Sequence, residues 1–535
     1  MGPLLRASGL MPPRFYTLLF LTAYATLLSA QSPVNFGVLV DSGACQALPL
    51  MPLFDQGQKG DGDLPSARSL RAYCPRPLNQ GSSAACAGFA AAYGAMTILE
   101  AIGANTTDPE KISQLACSPW FVYNQIKQRP GDCSTAATME KAIQVLREQG
   151  VCLNSEFHPA AGDCDALPDK AAKQSAGARK LKDAAALFEW GVEPERKIAA
   201  LRSALAGGLP IVAMIGVYQR FQELPFGRSS WKMRTNPTQT ENYLADHFLV
   251  VTGYDDHKQE FELMSSWGTE WADGGFVYLS YQDFAAICRM AYLFLPYQFS
   301  APAAHVLAEV SAKQAPTTAP LRTQTAAAGQ QKPAVKRPAD NLESAIFLQG
   351  KFEFVRPVWN DARSAYDFVP EAVAYDQQNQ QYQLKSAVSP VGTQFKLRSS
   401  AIPTGKYVYV FSCDAAGKVE LHWPKNDRQA QFVPGEQAVI SIPAADDSVL
   451  ILKHPGDDFL CILYSDDPIP DMRERMARMR GYSAANFQTV LANAFTGLLI
   501  APEKVRLEVE AMRAKFNGTR KDGTAMGVVL RVRGE

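Results

Sequence analysis

The chain has no surplus of charge of either sign. Its 535 residues hold 53 lysines and arginines against 53 aspartates and glutamates. Such a balance offers no basic stripe for nucleic acid and no cationic face for an anionic membrane, so neither is an expected partner. Histidine is scarce as well, at six. His158, His257, His305, His422 and His454 stand apart from any Cys or Asp at ligand spacing, so neither a metal nor any other cofactor is expected. After the N-terminal stretch no run reads as long and apolar enough to cross a bilayer, which predicts a mature chain without an integral membrane segment. No internal period recurs, which argues against a solenoid or propeller.

The N-terminal stretch is the exception. Arg6 and Arg14 precede FYTLLFLTAYATLLSA, which ends in small residues before Gln31. A charged start, a short apolar run and small residues predict a signal peptide over 1–30 and a secreted or periplasmic protein. Leu28 stands where a small residue is preferred and leaves the exact cut open. Export makes the ten cysteines eligible for disulfides. Eight lie before residue 300: Cys45, Cys74, Cys86, Cys117, Cys133, Cys152, Cys164 and Cys288. Cys413 and Cys461 follow far downstream. Their connectivity is not readable from spacing alone.

Residues 300–346 contain no Phe, Tyr or Trp and are rich in Ala, Pro, Thr and Gln. That composition buries too little apolar surface to offset the entropy of ordering, so it predicts a flexible linker. It separates a region 31–299 from a region 347–535. In the first, CAGFAAAYGAMTILEAIGAN, MEKAIQVLREQG and KIAALRSALAGG carry helical spacing, the second closed by Gly150. LPIVAMIGVY, HFLVVTGYDD and EFELMSSWG read as strands. Helices followed by strands predict an α+β fold. The second region reads as a small antiparallel β domain, through YQLKSAV, QFKLRSS, KYVYVFSCD, KVELHW, QAVISIP, VLILKH and FLCILYS. A helical stretch, MRERMARMRGYSAANFQTVLANAF, and a last strand, GVVLRVR, complete it.

Chemistry concentrates in NQGSSAACAGF. Cys86 stands at a predicted helix start, where unpaired N–H groups favour an anion and lower a thiol's pKa. Ser82, Ser83, Ala84 and Ala85 leave room for a substrate backbone. Far downstream, His247 falls in LADHFLVVTGYDD, followed by SSWGTEWADGGFVYLSY. Asp246 beside it reads as a solvated turn carboxylate. These blocks, in this order, resemble papain-like cysteine peptidases, particularly bacterial ones, over roughly residues 65–295. The resemblance implies a two-subdomain fold, with a helical left part and a β-rich right part.

It also implies roles. Cys86 attacks a carbonyl carbon as thiolate, and His247 holds the proton as imidazolium and delivers it to the leaving amine. Gln80, with Gly81 beside it in the same turn, and the backbone N–H of Cys86 bind the developing oxyanion. Trp267 covers the histidine's outer hydrogen bond. The family's asparagine, which orients that histidine, falls on Ser265, a shorter and freely rotating acceptor, so reduced rather than abolished activity is expected. Ser83 replaces a cysteine that usually forms a disulfide. The paired glycines that hold the substrate backbone are missing from the comparable stretch, DCSTAATMEKA. The stretch from Gln31 to Cys74 is too short for a long inhibitory prosegment, so QSPVNFGVLVDSGACQALPLMPLFD either masks the site lightly or no zymogen is needed.

The reading that follows is an exported thiol peptidase acting on a peptide or protein substrate. A catalytically weak papain-like protein that binds peptides or a partner is a second reading, resting on Ser265 and the missing glycine pair. A thiol amidase or transpeptidase acting on cell-wall or isopeptide bonds is a third. The C-terminal stretch GKYVYVFSCDAAGKVELHWP, with PGEQAVISIP and LCILYSDDPI, resembles a bacterial β domain of unknown function appended to peptidase-like domains. That implies an accessory role in partner or wall binding and assigns no catalytic residue.

Overall fold

The computed structural model describes residues 38, 48–52, 64–160, 163–234, 241–297, 345–362, 364–444 and 449–535. The signal segment, Cys45, His305 and the linker through residue 344 lie outside the described residues.

The first helix, α1, runs over Cys86–Gly103. Small alanines and glycines on every side let neighbours approach all round, and its middle, Phe89–Met96, widens into π turns. A helix apolar on all faces is either a membrane span or a core element. Contrary to the expectation from sequence, this one is long and apolar enough to cross a bilayer. Yet 94% of it is buried inside the protein, so it is read as a core helix. Two glycines fix its seat: a Cβ on Gly88 would run into the Pro119 carbonyl, and one on Gly94 into the Val250 side chain. Three helices pack beside it: α2 (Pro109–Leu115), α3 (Pro119–Ile126) and α4 (Met139–Glu148). Asp108, Ser118 and Thr138 cap them by accepting backbone N–H bonds, and Pro opens the first two, as orphan donors at a helix start require.

Opposite these helices stands an antiparallel sheet. Its strands are β1 (Ala67–Ser69), β2 (Leu181–Ala186), β3 (Ile211–Tyr218), β4 (Tyr243–Asp255), β5 (Glu260–Met264), β6 (Phe276–Ser280) and β7 (Cys288–Pro296). Their spatial order is β2-β7-β3-β4-β5-β6, with β1 laid on β4. The helices on one side and this sheet on the other make the α+β, papain-like arrangement.

From Ala345 onward the chain builds two further sheets. One is ordered Val373–Asp376, Gln381–Leu384, Ala525–Gly534, Gly456–Ser465, Tyr407–Cys413, Val419–Trp423. It is not wholly antiparallel as expected, because Gln381–Leu384 runs parallel to Ala525–Gly534. The other is centred on the long strand Ala345–Asn360, flanked by Gln394–Ser400 and Arg513–Thr519. Between the sheets lies a core of Phe352, Phe354, Leu397, Val408, Val410, Leu460 and Ile462. The alternate residues Tyr407, Tyr409, Phe411, Phe459, Cys461 and Leu463 face the other way and join the core that contains α1. Period-two alternation thus makes one sheet buried on both faces. The expected helical stretch is two short helices, Met472–Ala477 and Phe487–Ala494, covering that second face.

The C-terminal part docks directly on the first part. Lys182 pairs with Asp467 at 3.1 Å, the Tyr407 hydroxyl donates to Asp183 at 3.3 Å, and Thr404 donates to the Gly207 carbonyl at 3.3 Å. Gly207 touches backbone across this seam, and a Cβ there would overlap the Pro434 carbonyl. Backbone cannot swing aside as a side-chain tip can. Gly207→Ala is therefore expected to cost about 1–3 kcal/mol of stability, read by urea denaturation, with earlier proteolytic release of the C-terminal part.

Candidate functional site

Two segments nearly two hundred positions apart are tied together first. Asn79 forms an antiparallel bridge with Trp267. Gln80 donates its backbone N–H to the Ser266 carbonyl at 2.8 Å, and Gly268 donates to the Leu78 carbonyl at 3.1 Å. Gly81 turns the chain here with φ of 63°, a left-handed conformation that suits glycine. The Gln80 side chain is buried and doubly held: Oε1 accepts from the Ser266 hydroxyl at 2.5 Å, and Nε2 donates to the Ser83 carbonyl at 2.8 Å. A primary amide has two N–H donors, so this bond engages one of them. Ser83, where the resemblance expects a cysteine, donates its hydroxyl back to the Gln80 carbonyl at 2.7 Å.

His247 is fully buried on β4. Its Nε2 stands 3.4 Å from the Ser265 hydroxyl, close to the outer limit of a hydrogen bond. Trp267 stacks on the imidazole, with ring centroids 4.7 Å apart and planes 28° apart. Phe221 and Trp271 pack edge-on around Trp267 in turn. Trp267 therefore covers the histidine, as the resemblance implied. Burial pushes the His247 pKa down to about 3, because the charged ring loses its water. Asp246 departs from its expected role as a solvated carboxylate: it pairs with Arg289 at 2.8 Å and accepts from the Tyr243 hydroxyl at 3.1 Å.

Cys86 begins α1 and is fully buried. Among the described residues the one disulfide joins Cys133 to Cys164, and Cys413 and Cys461 remain thiols. Helix α1 packs on β4, and the two elements run in the same direction. Gly94 meets Val250, and further back Phe89 and Ala90 share one small cavity with Phe248, Leu249 and Ser265. Continuing back from Gly94, Cys86 lies about 12 Å along the helix. From Val250, His247 lies about 10 Å along the strand. The Cys133 carbonyl accepts from Ala84 at 2.8 Å, which brings the stretch Asp132 to Ala137 beside the helix start. On Ala137 lies Val38, in a parallel bridge.

Sequence reasoning thus named Gln80, Gly81, Ser265 and Trp267 and missed their supports. Ser266, which orients the Gln80 amide, sits in the quoted SSWG block and was readable there as a second hydroxyl. Trp271 and Phe221, which fix Trp267, carry no local signal beyond being aromatic.

Comparison with known proteins agrees with this geometry. A curated relative, an uncharacterised peptidase C1-like protein of Acanthamoeba polyphaga mimivirus, is 22% identical over 213 residues. The match covers 38% of this chain and 64% of that protein, less than two thirds of its length. Among solved structures, xylellain, a cysteine protease from Xylella fastidiosa, is 19% identical with a TM-score of 0.39, over 50% of this chain and 98% of that one. The bromelain protease from Ananas comosus is 16% identical with a TM-score of 0.33, over 43% and 99%. The family model described as papain family cysteine protease matches residues 66–294. That region is a papain family cysteine protease domain.

Proposed function

We propose that the protein is an exported thiol peptidase that cleaves peptide bonds of peptide or protein substrates through Cys86 and His247. The observation that carries this reading is the convergence of α1 and β4 at one end, with His247 clamped between Ser265 and Trp267. Ser265 on Nε2 assigns Nδ1 to the sulfur of Cys86. Burial favours the neutral ring, so the pair rests as thiol and imidazole, where the resemblance implied a charged couple. His247 takes the proton as the sulfur attacks, then passes it to the leaving amine. The second N–H of Gln80 and the backbone N–H of Cys86 bind the oxyanion. The acyl-enzyme is then hydrolysed by water activated by His247.

Cys86 and His247 are both fully buried, and Val38 lies on Ala137, in the stretch that the resemblance equates with the substrate-backbone groove. These facts support the lighter-masking reading of the N-terminal segment.

A thiol-directed epoxide tests the assignment. It labels Cys86 in the folded protein, and the label disappears in Cys86→Ala. Absence of label on a folded sample with the N-terminal segment removed would favour the peptide-binding alternative. Cleavage of a generic peptide library supports the peptidase, whereas silence there with release from wall fragments would favour the amidase. Ser265→Asn is expected to raise kcat several-fold, because a planar amide reaches further than the hydroxyl at 3.4 Å and fixes the ring's tautomer. A lower kcat in a variant of unchanged stability would show that the hydroxyl has another task.

A further inference from the structure

Residues 49–51 form a short strand held on both edges. On one edge, Met51 donates to the Ala186 carbonyl at 2.7 Å and Ala186 donates to the Pro49 carbonyl at 2.8 Å, seating the strand on β2. On the other, Leu50 donates to the Arg428 carbonyl at 2.5 Å and Ala430 donates to the Leu50 carbonyl at 2.9 Å. Both bridges are parallel. Beyond Ala430 the ladder continues: Val408 donates to Gln431 at 3.0 Å, and Gly405 and Val433 exchange bonds with the strand start at Lys406. A hydrogen-bonded path therefore runs from the edge of the first sheet, through residues 49–51, into the sheet of the C-terminal part. Leu48 and Met51 are buried in the shared core.

This strap lies between Val38, paired with Ala137, and the first strand of the protease domain. We propose that the C-terminal part is a clasp on that strap, and that its docking keeps the preceding segment on the site. The proposal rests on the masking by Val38 and on Cys86 as the nucleophile. The physics is that of a tether. With the strap seated, ten residues join Val38 to Leu48; with it released, the next fixed point is Leu64, twenty-six residues away. The probability that a chain's ends meet falls as about the three-halves power of its length, so occupancy of Ala137 by Val38 drops roughly fourfold. Two backbone bonds to β2 are too few to hold a lone strand once the opposite edge is gone.

The test uses the full chain and the rate at which a thiol-directed epoxide labels Cys86. Leu50→Pro removes the donor to Arg428 and leaves both bonds to β2 in place. It is expected to raise the labelling rate roughly fourfold and to open a new proteolytic site between residues 48 and 64. Gly207→Ala, acting on the docking seam from a different position, is expected to raise the rate in the same direction. Deleting residues 31–47 should raise it at least as much. Wild-type rates in both point variants, with faster labelling in the deletion, overturn the clasp and leave masking intact. Wild-type rates in all variants overturn both. No labelling of Cys86 in any of them removes the nucleophile, and the proposal with it.

Discussion

Cys86→Ala is expected to abolish turnover, with a loss on the order of 10⁴-fold or more in kcat/KM, while leaving the fold intact. A nucleophile that is deleted leaves only the acceleration from substrate binding and the oxyanion donors. The side chain is small and sits at the first turn of α1, so removing one sulfur opens a minor cavity costing about 1 kcal/mol. The site should also be chemically selective. Cys152, Cys288 and Cys413 have thiol pKa values pushed up to about 12 by burial, and Cys74, Cys117 and Cys461 are pushed up as well. A thiol far above its usual pKa holds almost no thiolate at neutral pH and does not react. Mass spectrometry of the epoxide-treated protein should therefore find a single adduct, on the peptide containing Cys86. Full peptidase activity in the alanine variant would refute the mechanism outright.

Some of this was legible because chemistry constrains sequence locally. A glutamine, a tight turn and a cysteine at a helix start must be neighbours along the chain. So must a histidine at the head of an apolar strand, and a serine–tryptophan pair followed by a glycine-rich turn. Those blocks place Gln80, Cys86, His247, Ser265 and Trp267 without any knowledge of the fold. What joins them is long-range and silent in sequence. The bridge from Asn79 to Trp267 and the bond from Ser266 to Gln80 are backbone and hydroxyl contacts open to almost any residue pair.

The C-terminal part was harder to read for two reasons. Its longest strand, Ala345–Asn360, was missed although Ile346, Leu348, Phe352 and Phe354 alternate into the core. The aromatic-free composition of the preceding segment hid its start, and Gly350 and Pro357 read as breakers. The parallel pairing of Gln381–Leu384 with Ala525–Gly534 joins elements too distant for any local signal. Docking was hidden too. A linker predicts two parts joined by a tether, whereas burial of Tyr407, Phe411, Cys461 and Leu463 in the core of α1 makes them one body. The same alternation explains why KYVYVFSCD and FLCILYS look uniformly apolar: both of their faces are covered.

His247→Gln carries the second large effect and separates two descriptions of the catalytic pair. Without the base, the sulfur must attack unaided and the amine must leave unprotonated, so a loss of about 10³- to 10⁴-fold in kcat is expected. The same variant should change acid stability. Burial holds the imidazole pKa at about 3 in the folded protein, below the value of about 6.5 of an exposed histidine. The unfolded chain therefore binds a proton more readily than the native one as pH falls below 6.5. The stability contributed by the neutral ring is complete above that pH and is lost progressively down to the folded pKa. Linkage sets the slope at about 1.4 kcal/mol per pH unit. Urea midpoints measured between pH 7 and pH 4 should fall less steeply for His247→Gln than for the wild-type protein. Equal slopes would mean that the native ring is already charged, and the resting state would then be a thiolate–imidazolium couple. The two measurements answer different questions: the rate tests whether His247 serves Cys86, and the slope tests which of the two holds the proton beforehand.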